Sequence, residues 1–276
     1  DTAVDVWSTA VMASVDESGA SPVDHSDVAA AAECLVVSID LLDDFMDSPA
    51  SADGAGRLLW DLFASGLAAH DLGIRAIGEW MDNQGDHDRR MTVLRTYTDG
   101  FDVSMRGQVR DITRGMDSDF TESEYFETTA ARSGGLVATI LDLGWAAADQ
   151  VAPSWVAELG RNIGIWQQIL NDSYGLLEIS ANSDWSMPKP TLPIIWARDN
   201  PSAAAGFDFR AYLDGEIRVE TSEVRDRLRK SLMESGAFAY VLIQAEIYRQ
   251  AAWKIVVENM NSKHGRPMME CLCGSS

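Results

Sequence analysis

The chain has 276 residues, 46% of them hydrophobic, and a formal net charge of -21. That length buries a sizeable core, while the charge disfavours nucleic acid and anionic membranes, polyanions that recruit clustered Lys and Arg. Three cysteines (Cys34, Cys271, Cys273) form no disulfide framework; with no apolar run long enough to span a bilayer and no signal-like leader, a reducing cytoplasm is expected.

Apolar residues recur at a spacing near 3.6 over residues 28–47, 57–82, 88–115, 122–150, 153–180, 189–198, 208–213 and 218–260, which predicts helices there. Ser, Gly, Asp, Asn and Pro clusters separate them at 48–56, 83–88, 117–121 and 180–190. Thr121-Glu-Ser-Glu124 fits a capping box. With no alternating β pattern and no repeat, the expectation is one all-α domain over 1–276. It is a bundle of about eight to twelve helices whose acidic segments project into a central cavity. The last stretch, 258–276, reads as a frayed tail.

The first chemical signal in chain order is Asp43-Asp44-Phe45-Met46-Asp47, three carboxylates closing an apolar helix. Asp43 and Asp47 share a face and Asp44 sits beside them, so the like charges call for a cation. Oxygen ligands at this spacing suit Mg2+, which shares its shell between one or two carboxylates and a substrate's phosphates, so a diphosphate is the first substrate class to consider. A second polar set, Gln167-Gln168-Ile-Leu-Asn171-Asp172, interrupts another apolar helix, with Glu178 two turns beyond Asn171 on the same face. An amide oxygen and two carboxylates there could complete a hard-cation site opposite Asp43. Arg132, Lys189 and Arg249 are candidate bases for the anion.

Taken in order, these segments resemble the trans-isoprenyl diphosphate synthase superfamily. Asp43–Asp47 resembles its first aspartate-rich motif, Gly107-Gln108-Val-Arg-Asp111 its Gly-Gln-x-x-Asp segment, and Arg132-Ser133-Gly134 stands where the family has Lys-Thr-Ala or Lys-Thr-Gly. Gly164-Ile-Trp-Gln-Gln168-Ile-Leu-Asn171-Asp172 resembles the second motif, and Lys189-Pro-Thr-Leu-Pro193 the family's Gly-Lys-x-Thr-Leu-Pro. The resemblance implies the isoprenoid-synthase helical bundle. It also implies Mg2+, three ions in the family, held by Asp43, Asp44 and Asp47 on one side and Asn171 and Asp172 on the other. Arg132, Gln168 and Lys189 would hold the diphosphate of an isoprenyl substrate. Ionisation of the carbon–oxygen bond then leaves an allylic cation.

The departures from the family pattern narrow the reading. No Gly-Lys-Arg precedes the first motif, and Ser48–Arg57 carries no Arg-Arg-Gly after it, so the cations that would hold a second diphosphate, that of isopentenyl diphosphate, are missing. Asn171 replaces an Asp, and Gly175 stands where the second motif's last Asp would be, with Glu178 as the substitute ligand. The pattern is most similar to the cyclases built on this fold, the class IB terpene synthases, which ionise one allylic diphosphate and close rings. Nine tryptophans suit an apolar cavity whose aromatic faces stabilise a cation, and Phe63, Trp166 and Tyr174 are expected among the lining residues. Ser38 and Ile39, where the synthases place bulky floor residues, imply a deep cavity and hence geranylgeranyl diphosphate. The expected product is a cyclic diterpene, and a homodimer is the expected assembly. Transfer to an acceptor other than isopentenyl diphosphate, such as a peptide tryptophan, is the alternative, followed by chain elongation and by a non-catalytic partner subunit.

Overall fold

The computed structural model describes residues 6–47, 56–114, 119–177, 188–219 and 221–274. Among them there are helices and no strands, as the spacing predicts. The helices are α1 (Val6–Glu17), α2 (Ser26–Asp47), α3 (Gly56–Asp82), α4 (His87–Arg114), α5 (Glu122–Thr129), α6 (Gly135–Ala147), α7 (Ser154–Leu177), α8 (Leu192–Asp199), α9 (Phe209–Leu213), α10 (Ser222–Ser235), α11 (Ala237–Asn259) and α12 (Gly265–Leu272). No described helix is long and apolar enough to cross a membrane.

The core centres on α2, which packs against α1, α3, α4 and α6, while α7 lies between α6 and α11. Val28, Ala32, Leu35 and Ile39 of α2 are buried at a spacing of three to four and meet Val137, Ile140 and Leu141 of α6 in one cluster. The acidic end of α2 therefore rises out of an apolar interior. Trp80 is fully buried and donates through Nε1 to Nδ1 of His25 at 3.1 Å, with Arg89 placed 5.3 Å over its ring. This tryptophan is core packing.

Four features escape the sequence pattern. α1 buries Ala10, Val11, Ala13, Ser14 and Val15, small residues pressed between α2, α6 and α12, so it has little polar face to set a period. The single helix expected over 122–150 is interrupted by a π-helical turn, Ala130–Gly134. The one over 218–260 breaks at Gly236, whose φ of 87° is left-handed. The frayed tail is instead α12, with Met269 and Cys273 buried. Asp16 caps its start by accepting from the backbone N–H of His264 and Gly265 at 3.1 and 2.8 Å, and those bonds hold the Asp16 carboxyl low despite its burial.

Two helices meet without side chains between them. A Cβ at Gly164 of α7 would lie 2.4 Å from the backbone of Ser133 and Gly134, and one at Gly160 would lie 2.4 Å from the nitrogen of Ala138. Neither neighbour can yield, because both are backbone. Gly164→Ala is expected to destabilise the fold by about 1–3 kcal/mol, as overpacked interiors do, measured as a lower urea midpoint with unchanged slope.

Candidate active site

The π-helical turn is where the pieces converge. Its extra residue widens the helix, and Arg132 and Ser133 both reach Gln168 from it, a distortion often found at functional sites. Arg132 donates to Oε1 of Gln108 on α4 at 2.6 Å and to Oε1 of Gln168 on α7 at 3.0 Å. Ser133 donates its hydroxyl to the same Gln168 oxygen at 2.9 Å. Gly107 makes this possible, because a Cβ there would stand 3.1 Å from Arg132 Cγ. The Gly-Gln pair thus has a physical reading: the glycine leaves room for the arginine stem, and the buried glutamine receives its head.

Gln168 passes the network on by donating to Oδ1 of Asp172 at 2.8 Å, one turn along α7. Tyr125 of α5 donates to the other oxygen, Oδ2, at 2.6 Å. Burial pushes the Asp172 carboxyl up, against the pull of these two bonds and of the Arg132 and Lys189 charges. Burial and the Asp172 charge hold the Tyr125 phenol well above its usual range, so it remains a donor. Asp172 is therefore engaged at both oxygens, while the neighbouring Asn171 is exposed.

The other acidic motif is the end of α2. Asp43 is half-buried and Asp44 exposed. Asp47 closes the helix, and its side chain lies outside the described residues, as does Glu178 altogether. Asp40, one turn before the motif, feels both Asp44 and Arg132. Arg132 thus stands within electrostatic reach of carboxylates from both acidic segments, Asp40 and Asp172. Lys189 is close enough to Asp172 to act on it, and two residues on, the buried Oγ1 of Thr191 has no hydrogen-bond partner among the described residues.

Other expected residues fall elsewhere. Arg249 is not at the diphosphate end: its guanidinium pairs with Glu246 at 2.7 Å and donates to the carbonyls of Cys273 and Gly274 at 3.1 and 2.6 Å. A cation at those carbonyls closes the C-terminus of α12. Ser38 is fully buried and donates to the carbonyl of Gly66 on α3 at 2.8 Å, and Ile39 packs in the main core. Neither stands open as a cavity floor, so the inference of a deep cavity from a small Ser38 loses its basis. Phe63 packs on Phe45 at 5.2 Å and on Trp60 at 5.8 Å, beside the acidic end of α2. Trp166 lies against the cluster of Phe120, Tyr125 and Ile169, and Tyr174 is 62% exposed. Sequence reasoning missed Asp40 and Tyr125. The first was readable, since it shares the helical stripe of Asp43 and Asp44; the second was not, since its partner is 47 residues away.

Among the described residues no three Asp, Glu, His or Cys side chains form a ready-made metal cluster. The donor set nonetheless fits Mg2+, which takes few protein carboxylates and fills its shell with water and phosphate oxygens. Asp43 and Asp44 on α2 and Asn171 on α7 are the side chains that would offer such oxygens. The unpartnered Thr191 hydroxyl beside Lys189 suits an anion.

Comparison with known proteins bears on the fold and the family. A search of curated proteins finds the tryptophan prenyltransferase ComQ of Bacillus subtilis subsp. natto (strain BEST195), 29% identical over 215 residues, which are 78% of this chain and 64% of that protein. The chain thus matches less than two thirds of that relative's length. Among solved structures, a decaprenyl diphosphate synthase from Rhodobacter capsulatus superposes with a TM-score of 0.75 at 21% identity, covering 98% of this chain and 83% of the other. A polyprenyl synthase from Caulobacter crescentus CB15, complexed with calcium and isoprenyl diphosphate, gives 0.74 at 22% identity over 98% and 83%. These likenesses establish the isoprenyl diphosphate synthase fold. The model of the polyprenyl synthetase family matches residues 6–216, and the chain belongs to that family.

Proposed function

We propose that this protein ionises an allylic isoprenyl diphosphate, held with Mg2+, and transfers the isoprenyl group to an acceptor other than isopentenyl diphosphate. The observation that carries the reading is the placement of Arg132, held by Gln108 and Gln168 and within electrostatic reach of Asp40 and Asp172. A diphosphate entering there meets Arg132 and Lys189, with Thr191 as a further donor. Mg2+ bound with it would neutralise the leaving diphosphate and polarise its bond to carbon. Gln168 keeps Arg132 aimed, and Tyr125 and Asp172 keep Gln168 aimed, so these donors need no reorganisation when charge develops.

Two observations favour transfer to another acceptor. The stretch Ser48–Arg57 lacks the arginine pair that would hold a second diphosphate. The curated relative is named for transfer to tryptophan. Cyclisation of a single substrate, the first expectation from the sequence, has less support, since the missing second-diphosphate cations suit transfer to another acceptor equally and Tyr174, expected to line the cavity, is exposed. An indole is accordingly the acceptor chemistry to try first.

With Mg2+ and geranylgeranyl, farnesyl or geranyl diphosphate, a tryptophan-containing peptide is expected to gain one isoprenyl mass, read by mass spectrometry, while isopentenyl diphosphate gives no longer chain. A cyclic hydrocarbon formed without any acceptor would contradict this. Arg132→Gln is expected to lower the rate of diphosphate release by about 10²–10³-fold, the usual loss for one preorganised donor. Asp43→Ala is expected to abolish turnover because no neighbouring group replaces a lost ligand, and release at near wild-type rate would exclude it from the site.

A further inference from the structure

The family resemblance makes Asp172 a metal ligand, but its surroundings give it different work. Tyr125 donates to Oδ2 at 2.6 Å and Gln168 to Oδ1 at 2.8 Å, so each oxygen is turned to a protein donor. Tyr125 is only 5% exposed and Asp172 is half-buried, whereas Asn171, about 100° away around α7, is exposed. Mg2+ dehydrates reluctantly and keeps several waters, so it needs room as well as oxygens. Asn171 stands in the open, while the Asp172 carboxylate is enclosed between α5 and α7.

The bonds around Gln168 also have a direction. Its Oε1 accepts from both Arg132 and Ser133, so its amide nitrogen faces the other way and needs an acceptor there. A carboxylate is an acceptor only, and Asp172 therefore allows the amide one orientation. Without it the amide is free to turn over and present its own N–H to the guanidinium, donor against donor. Tyr125, 47 residues away in the chain, pins the carboxylate from behind. We propose that Asp172 is a positioning residue in this protein and not a metal ligand: held by Tyr125, it locks the Gln168 amide and through it the aim of Arg132, and Asn171 is the α7 side chain left to meet the metal. This role rests on the proposed function, because the aim of Arg132 matters where a diphosphate enters.

A positioning role and a ligand role answer differently to asparagine. In Asp172→Asn the amide oxygen still accepts from Gln168 and the amide nitrogen can donate to the Tyr125 oxygen, so the relay survives although the charge is gone. The test uses the full chain and measures the affinity for inorganic diphosphate by calorimetry over a range of Mg2+ concentrations, with the urea midpoint of each variant alongside. Asp172→Ala and Tyr125→Phe are each expected to weaken diphosphate about tenfold, by the same factor at every Mg2+ concentration, while Asp172→Asn stays within about threefold of wild type. Because both residues act through one chain of bonds, the double variant Asp172→Ala/Tyr125→Phe is expected to bind no more weakly than Asp172→Ala alone. An Asp172→Asn variant as weak as Asp172→Ala, with a higher Mg2+ requirement, marks a metal ligand and overturns the assignment. A lower urea midpoint with unchanged affinity marks a merely structural role and overturns it too. Wild-type protein that binds no diphosphate at any Mg2+ concentration overturns the proposed function as well, whereas normal wild-type binding with normal Asp172→Ala binding overturns only the role of Asp172.

Discussion

The site depends on backbone meeting backbone where α7 crosses the π-helical turn. Gly160 and Gly164 let α7 approach the chain of Ser133, Gly134 and Ala138 so closely that no side chain fits between them. This contact fixes Gln168, one turn beyond Gly164, at hydrogen-bonding distance from Ser133 and Arg132. Gly107 performs the same service on α4, where the Arg132 stem passes over it to reach Gln108. Three helices are thereby locked around one guanidinium, and packing density rather than hydrogen bonding sets the geometry.

That guanidinium matters because the chain is so acidic. At a net charge of -21 the field of the whole molecule opposes an incoming diphosphate, so binding must come from placed cations. Arg132 and Lys189 both act on Asp172, and Arg132 acts also on Asp40. The hydrogen bonds from Arg132 to Gln108 and Gln168 end on neutral amide oxygens, which orient the guanidinium. The carboxylates at the end of α2 are in turn crowded by one another, a cost offset when Mg2+ and phosphate enter together.

Much of this was legible in the sequence, for a physical reason. Helices that bury one face leave a period, and polar residues interrupting that period stand out, which is how Asp43, Gln168 and Asp172 became candidates. The rest depended on contacts that carry no period. α1 is pressed on several sides and shows little polar face. The π-helical turn is one extra residue in an otherwise helical pattern. Arg249 looked like a site cation because its position on a late helix could not reveal that the last carbonyls of the described chain fold back onto it. Ser38 illustrates the same limit: register from the motif gave its height on α2 but not its direction, and it points at Gly66.

The central claim is that both acidic segments and Arg132 form one diphosphate grip. A crystal structure of the protein with Mg2+ and inorganic diphosphate tests it most directly. The account predicts a diphosphate within hydrogen-bonding distance of Arg132 and Lys189, with metal between its oxygens and Asp43. A diphosphate bound elsewhere, or an Arg132 that contacts only Gln108 and Gln168 when the anion is present, would contradict it.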